Sequence, residues 1–154
     1  MIDTMIYDEL FRNEGIRQKI IECLELGCLR FYSTDIQEAQ IKANPKPADK
    51  DKIEWSLQFY KRAEIIPPLF SFDVPGAGFD PGRWATSTEE ELYNKIKLNS
   101  KKHHAGRNIA TIVNAKVDIF VTNNIKDYPK ERLSNLKVLS WNEFVKHLAK
   151  KGRC

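Results

Sequence analysis

The stretch that decides the fold is Ala105–Tyr128, which reads AGRNIATIVNAKVDIFVTNNIKDY. Its first half places Ile109, Ile112 and Val113 at helical spacing, and this pattern predicts the last turns of a helix. Residues 118–122, DIFVT, then form a short apolar run that two asparagines close, as is typical of a buried strand. Because ligands of open α/β sheets bind just outside the carboxyl ends of the strands, we expect any site to lie at residues 122–127.

The composition predicts one domain over residues 1–154, large enough to bury roughly two thirds of its unfolded surface. There is no apolar run long enough for a membrane span and no secretory leader, so we expect a cytoplasmic protein without a membrane partner. Cys23, Cys28 and Cys154 are odd in number and lack CxxC spacing, which indicates reduced thiols. The net charge of +4 permits an anionic partner without demanding one.

The first half of the chain predicts helices joined by short strands. Residues 16–26 have an amphipathic pattern that ends at Gly27, the expected C′ residue, and residues 28–32 alternate as a strand does. Thr34-x-x-Gln37 predicts a capping box for the next helix. Residues 49–63 predict a further amphipathic helix, whose aromatic side chains we interpret as core rather than as a base-stacking surface. The apolar face of the helix after Thr34 is predicted to carry Ile36, Ala39, Gln40 and Ala43.

The second half begins with residues 65–85, which are rich in Pro, Gly and Phe and are long for a structureless connection. Two overlapping capping boxes, Ser87-x-x-Glu90 and Thr88-x-x-Glu91, then predict a helix start. Residues 136–139 predict a small strand, and Ser140-x-x-Glu143 predicts the cap of a terminal helix. The candidate contact residues of the long connection are Asp73, Asp80, Arg83 and Trp84.

Two segments, VDIFVTNNIKDY (117–128) and LKVLSWNEFVKHL (136–148), together resemble the C-terminal half of a PIN-domain ribonuclease. Ile2-Asp3-Thr4 resembles the opening strand of that family with its first acid, and Glu38 resembles the second acid. The resemblance covers both ends of the chain well and the middle poorly. It implies an α/β fold: a three-layer α/β/α domain with a mainly parallel central sheet of four or five strands.

The resemblance also implies an acidic site that holds Mg²⁺ or Mn²⁺. It assigns catalysis to Asp3, Glu38 and Asp127, and it assigns metal binding to the same three residues together with Asn124. Hard divalent cations take carboxylate and other oxygen ligands, and a bound metal of this kind activates water against a phosphodiester. The function that follows is a metal-dependent endoribonuclease acting on RNA.

The chain departs from the family pattern at two of the four expected acids. The third acid falls on Ala105, and the acid of the turn after the strand falls on Asn124, which offers a neutral oxygen without charge. Met5 also stands where the family usually has Asn. We therefore expect weakened metal binding and weakened activity. The densest cationic cluster is the candidate RNA contact and comprises Lys101, Lys102, His104 and Arg107.

Each acid also has a simpler interpretation that the residues alone leave open. Asp3 could cap the following helix, because Asp accepts hydrogen bonds from the first N–H groups of a helix. Glu38 could be a solvated residue beside an apolar helix face. His103 and His104 lack the i, i+4 spacing of a helical zinc site, so we do not predict metal ligation by them.

Three hypotheses follow from these patterns. The first is a PIN-type ribonuclease with weakened activity that acts as the toxin of a toxin–antitoxin pair, with RNA and an antitoxin protein as partners. The second is a PIN-fold module that has lost catalysis and binds RNA or a protein partner. The third is an unrelated α/β protein in which the acids are caps and surface residues. A homodimer is compatible with the first two.

Overall fold

The computed structural model describes residues 1–43, 49–67, 84–100, 111–113, 115–128 and 136–150. Helices alternate with very short strands along these segments. In chain order the elements are α1 (Ile6–Arg12), α2 (Glu14–Glu25), β1 (Tyr32–Ser33), α3 (Asp35–Lys42), α4 (Lys50–Tyr60), β2 (Glu64–Ile65), α5 (Ser87–Ser100), β3 (Ile119–Val121), a 3₁₀ turn (Ile125–Asp127), β4 (Lys137–Leu139) and α6 (Trp141–Lys150). Thr111–Val113 are also helical.

The strand pairings among the described residues are all parallel. β1 pairs with β2, and β3 pairs with β4. The extended N-terminal segment lies on the other side of β3, through a parallel bridge between Ile2 and Val121. Backbone bonds flank this bridge: the Val121 N–H donates to the Met1 carbonyl, and the Asp3 N–H donates to the Val121 carbonyl. Parallel pairing brings the carboxyl ends of these segments to one edge.

The β3–β4 pair is covered on both faces, because its side chains alternate between two hydrophobic clusters. Val121 packs with α1, α2, α4 and α6 in the larger cluster, against residues such as Leu10, Phe59 and Phe144. Phe120 packs with Ile112 and other residues of the smaller cluster. The period-2 alternation of a strand puts successive residues on opposite faces, so an apolar residue at every position is the pattern of a strand buried on both sides.

The predicted helix ends are partly confirmed. Gly27 has a φ of 71° directly after α2, as a C′ glycine does. The Ser140 hydroxyl and N–H donate to the Glu143 carboxylate at 2.8 Å each, which is the predicted capping box. The start of α5 differs from the prediction. Its described capping box joins Thr86 to Glu89, whose carboxylate accepts from the Thr86 N–H and hydroxyl at 2.9 Å.

The sheet and the face of α3 were predicted less well. The described strands, each two or three residues long, form two two-stranded sheets and one bridge, so a single central sheet of four or five strands stays a prediction. The mixed α/β class with parallel pairing stands. On α3, Ala39 is exposed, whereas Gln37 is fully buried and Ile41 is 9 % exposed, so the inward face is rotated from the predicted one. None of the described helices is long and apolar enough to cross a membrane.

Candidate functional site at the carboxyl ends of the strands

A polar residue follows four of the extended segments at their carboxyl ends. Asp3 follows the N-terminal segment, Thr34 follows β1, Thr122 follows β3 and Ser140 follows β4. Thr34 and Thr122 are fully buried. Ligands of parallel sheets bind at this edge, so these residues define the candidate site, which we call the Asp3 edge.

The Asp3 carboxylate is held by two hydrogen bonds. Its Oδ2 accepts from the Thr122 hydroxyl at 2.7 Å, across 119 positions of sequence. Its Oδ1 accepts from the Thr4 N–H at 2.7 Å. The helix that follows starts with backbone bonds from Ile6 to the Asp3 carbonyl and from Tyr7 to the Thr4 carbonyl. The Asp3 side chain therefore sits at a strand tip, facing β3, and does not act as the helix cap.

The Thr4 hydroxyl connects Asp3 to α3. It donates to Gln40 Oε1 at 2.5 Å and lies 3.5 Å from Asp3 Oδ1. Asp3 and Gln40 thus contact the same hydroxyl group. A carboxylate oxygen, a hydroxyl oxygen and an amide oxygen converge at this point.

Gln37 ties α3 to two strands at the same edge. Its Nε2 donates to the Ile2 carbonyl at 2.5 Å, and its Oε1 accepts from the Ser33 hydroxyl at 2.6 Å. Thr34 takes the N-cap position of α3 without a side-chain cap bond. The predicted capping box is therefore wrong in its contacts, because the buried Gln37 side chain is used between strands. The buried Thr34 hydroxyl has no hydrogen-bond partner among the described residues.

Glu38 turns away from this network in the structure. Its Oε1 accepts from Lys42 Nζ at 2.6 Å, an i,i+4 ion pair whose side chains are 39 % and 56 % exposed, respectively. Gln37 and Gln40, one position before and two after Glu38, make the inward contacts instead. A metal-binding role for Glu38 stays a prediction, and it would require the side chain to leave Lys42.

Asn124 follows Thr122 at the start of the 3₁₀ turn. Its N–H donates to the Thr122 hydroxyl at 3.1 Å, so the turn is folded against the same hydroxyl that holds Asp3. Neighbouring Asn123 accepts from the Trp141 N–H at 3.2 Å and so fixes the turn to the start of α6. The backbone of Asp127 belongs to the 3₁₀ turn. The predicted RNA contacts Lys101, Lys102, His104 and Arg107 lie outside the described residues, as do the substituted position Ala105 and the candidate contact residues Asp73, Asp80 and Arg83.

The residues that hold Asp3 were missed by the sequence interpretation. Thr122 was within the predicted site segment without a role, and Gln40 was assigned to an apolar face. A signal for Gln37 existed: it stands four positions before Ile41, and residues at this spacing share one side of a helix. Periodicity does not say that the buried polar member of such a pair bonds to a distant strand.

The oxygen donors at the Asp3 edge are of the type that a hard divalent cation takes, but they carry little negative charge. Mg²⁺ is commonly bound through one or two carboxylates together with water, and here Asp3 supplies one carboxylate beside neutral oxygens of Thr4 and Gln40. No group of three His, Cys, Asp or Glu side chains that could hold a metal occurs within the described part of the chain. The described residues therefore fit a weak site rather than a multi-carboxylate cage.

Comparison of the chain with models of known protein families, with curated proteins and with solved structures finds no match.

Proposed function

We propose that the chain is a PIN-fold protein that cleaves RNA phosphodiesters with the help of a weakly bound Mg²⁺ or Mn²⁺. The observation that carries this proposal is the position of Asp3, whose carboxylate lies at the carboxyl edge of parallel strands and is oriented by Thr122. Elsewhere in proteins this edge is where ligands bind in parallel α/β sheets. The segments that resemble the PIN family also occur along the chain in the order typical of that family, which supports the proposal.

The fold assigned by this proposal is one parallel sheet in the order β2, β1, N-terminal segment, β3, β4, between helical layers. Gln37 supports it, because its side chain joins Ser33 at the end of β1 to Ile2 in the N-terminal segment. The two hydrophobic clusters on opposite faces of β3 and β4 support the three layers.

Each residue has a distinct task in the proposed site. Asp3 would hold the metal, with the Gln40 and Thr4 oxygens beside it. When bound, the metal activates water and stabilises charge on the phosphodiester. Thr122 keeps the Asp3 carboxylate in one orientation through its 2.7 Å bond. Glu38, Asn124 and Asp127 complete the ligand set that the resemblance implies. The cationic residues of segment 101–107 are proposed to contact RNA phosphates, and an antitoxin protein is the proposed regulator.

A second candidate function is a PIN-fold module that binds RNA or a protein partner without cleavage. The Glu38–Lys42 ion pair favours it, because Glu38 is then engaged away from Asp3. The polar side chains of α3 that contact the Asp3 edge are the amides Gln37 and Gln40, which add no negative charge for a metal.

Calorimetric Mn²⁺ titration combined with cleavage of fluorescent single-stranded and structured RNA tests the proposal. Asp3→Asn should abolish both metal binding and metal-dependent cleavage, whereas the matched control Asp8→Asn, on α1, should change neither. Gln40→Glu places a second carboxylate on the Thr4 hydroxyl and should tighten Mn²⁺ binding by about tenfold, because added ligand charge raises affinity. Gln18→Glu, at an exposed position of α2, is the control for this variant.

The outcomes separate the two functions. Mn²⁺ binding and cleavage that both depend on Asp3 support the ribonuclease. RNA binding that persists in Asp3→Asn, without cleavage by either protein, supports the non-catalytic module. Failure of Gln40→Glu and Ala105→Asp to create metal binding, in a chain that itself binds no metal, would contradict the assignment of an acidic site to this edge.

A further inference from the structure

A cavity of about 580 Å³ lies at the opposite end of the strands from Asp3. Most of the strand and loop residues around it lie at the amino ends of the strands or before them, and Ile2 and Val121 line it as well: Met1, Ile2, residues 27–32, residues 116–119, Val121 and Lys137. Helices α1, α2, α4 and α6 supply its inner wall. Its lining therefore combines β1 and the segment before it with the N-terminal segment and β3. We call it the amino-end cavity.

The inner wall of the amino-end cavity is apolar. Leu10, Ile20, Phe31, Phe59 and Phe144 line it, and each is at most 7 % exposed. Cavities of roughly 300–1,000 Å³ with mainly apolar walls and a few polar groups are the usual form of small-molecule sites in proteins. The volume of this cavity lies within that range, and its deepest residues are apolar.

The rim of the amino-end cavity is cationic. Arg30, Lys116 and Lys137 line it as exposed side chains, and Asp118 is the acidic residue among the lining residues. Opposite charges attract over several ångströms at a protein surface, so an excess of three cations over one anion favours an anionic group at the mouth. The opposite edge of the strands, in contrast, carries the Asp3 carboxylate.

His147 adds a polar group inside the cavity. It lies on α6, lines the cavity, and has a buried Nε2 with no hydrogen-bond partner among the described residues. A buried polar atom without a partner is costly, and a ligand or ordered water commonly satisfies it. His147 therefore contributes its ring to the cavity wall, and its Nε2, which lacks a partner in the described part of the chain, is buried behind the accessible surface.

From these four features we propose that the amino-end cavity binds a carboxylate ligand with an apolar body, of the size of a medium-chain fatty acid. The carboxylate lies among Arg30, Lys116 and Lys137, the hydrocarbon part packs against Ile20, Phe31 and Phe144, and His147 contacts the ligand from α6. Burial of apolar surface supplies the affinity, and the rim cations supply the selectivity for an anion. This site is separate from the Asp3 edge and does not depend on its function.

Decanoate binding to the full chain, measured by calorimetry and by displacement of anilinonaphthalene sulfonate fluorescence, tests the proposal. Decanol and decyltrimethylammonium serve as neutral and cationic probes of the same chain length. The expected order is decanoate far above decanol, with the cation weakest. The double variant R30Q/K137Q should weaken decanoate binding at least about tenfold, as loss of two charges at a partly screened mouth implies, and should leave decanol unchanged. The charge-matched control R12Q/K61Q, away from the cavity, should bind decanoate like the parent chain.

Amide chemical shifts in the presence of decanoate locate the ligand independently of the affinities. Shifts centred on Phe31, Ile119 and His147 are expected, and His147→Ala should reduce the affinity while the adjacent Lys146→Ala does not. Equal binding of all three probes, equal effects of the two double variants, or shifts spread away from the cavity would each overturn the proposal. So would the absence of decanoate binding to a chain that is shown to be folded by its amide spectrum.

Discussion

At the carboxyl ends of the strands, Asp3, Thr4 and Thr122 satisfy one another through short hydrogen bonds. At the amino ends, Lys116 and Lys137 extend from the rim of an open cavity with an apolar wall. The same strands thus end in a hydrogen-bonded polar network on one side and in an open cavity with an apolar wall and a cationic rim on the other. The two ends therefore suit ligands of different chemistry.

The two edges also differ in how they treat charge. The Asp3 carboxylate is only partly buried and accepts hydrogen bonds from a hydroxyl and an N–H. The Met1 amine, at the other edge, is buried and donates to the Ile119 carbonyl at 2.9 Å. Burial lowers the pKa of this amine to about 5, with Asp118 opposing the shift. One edge therefore supports an ion, whereas the other disfavours one inside and places its cations on the rim.

The largest expected effect is on stability. It should follow from removing the Phe120 side chain of β3, the strand that ends at both edges. Phe120 is fully buried in β3 and meets the Tyr128 ring at 5.2 Å between centroids. Phe120→Ala should lower the free energy of unfolding by about 3–5 kcal/mol, because it removes a large buried ring and leaves a cavity. Urea denaturation measures the change. Ile65→Ala, at a 46 % exposed position on β2, is the control, and a loss below that of the control would contradict the central place of β3.

A second prediction tests the amino-end edge through the dependence of stability on pH. The Met1 amine has a pKa of about 5 in the folded chain against 8.0 in the unfolded one. Between these values the unfolded chain binds a proton that the folded chain does not, so stability should rise as pH increases from 5 to 8. The contribution is on the order of 2–4 kcal/mol, from about 1.4 kcal/mol per pKa unit. Stability measured against pH should show this rise, and Nα-acetylation of the same chain should flatten it.

The same samples can also show that the Met1 amine is not buried. A native amine that reacts with trinitrobenzenesulfonate as an ordinary exposed amine would mean that Met1 is not buried. An identical pH dependence in acetylated and unmodified chains would assign the rise to other groups.

The third prediction concerns the link between the two strand pairs. Gln37→Met keeps the size of the side chain but removes its bonds to the Ser33 hydroxyl and the Ile2 carbonyl. The cost should be about 1–3 kcal/mol, because buried polar partners are left unsatisfied. Gln18→Met, the same change on the exposed side of α2, should cost little. Equal urea midpoints for the two variants would mean that Gln37 does not connect the strands.

The smallest expected effect on stability is at Glu38, where the same variant distinguishes a metal-ligand role from a surface role. Its ion pair with Lys42 is exposed, so Glu38→Gln should change the free energy of unfolding by less than about 0.5 kcal/mol. A ligand role predicts in addition that this variant loses Mn²⁺ affinity, whereas a surface role predicts no change. Glu22→Gln, at an exposed position of α2, is the control for the loss of one negative charge. A large loss of stability would contradict both roles.

Much of the secondary structure was predictable because it depends on local patterns. The run Ile119–Val121 forms β3, the amphipathic segment 16–26 lies mostly within α2, and Ser140 with Glu143 caps α6. The start of α5 was predicted less well. Three adjacent Ser or Thr residues face three adjacent Glu residues there, and the local pattern does not choose among them. The structure pairs Thr86 with Glu89, which is 2 % exposed.

The candidate site was predictable in place but not in composition. Position followed from the rule that parallel strands carry sites at their carboxyl ends, and Asp3 and Thr122 do meet there. The contribution of α3 did not follow, because a helix rotated by one residue presents Gln37 and Gln40 instead of Glu38. That rotation is set by packing of Ile41 and its neighbours in the larger core, which are distant in sequence.

By itself, the amino-acid sequence determined the type of the segments with strong local patterns, such as α2, β3 and α6, since periodicity, caps and Gly27 act within a few residues of one another. It placed weaker elements less well: residues 28–32 were predicted as a strand, whereas β1 is Tyr32–Ser33. The tertiary structure alone decided that Asp3 is held by Thr122 and Thr4, that Gln37 joins β1 to the N-terminal segment, and that an apolar cavity opens at the other strand ends. These features join residues up to 119 positions apart. Their partners are selected by strand order and by packing, and no local pattern records that selection.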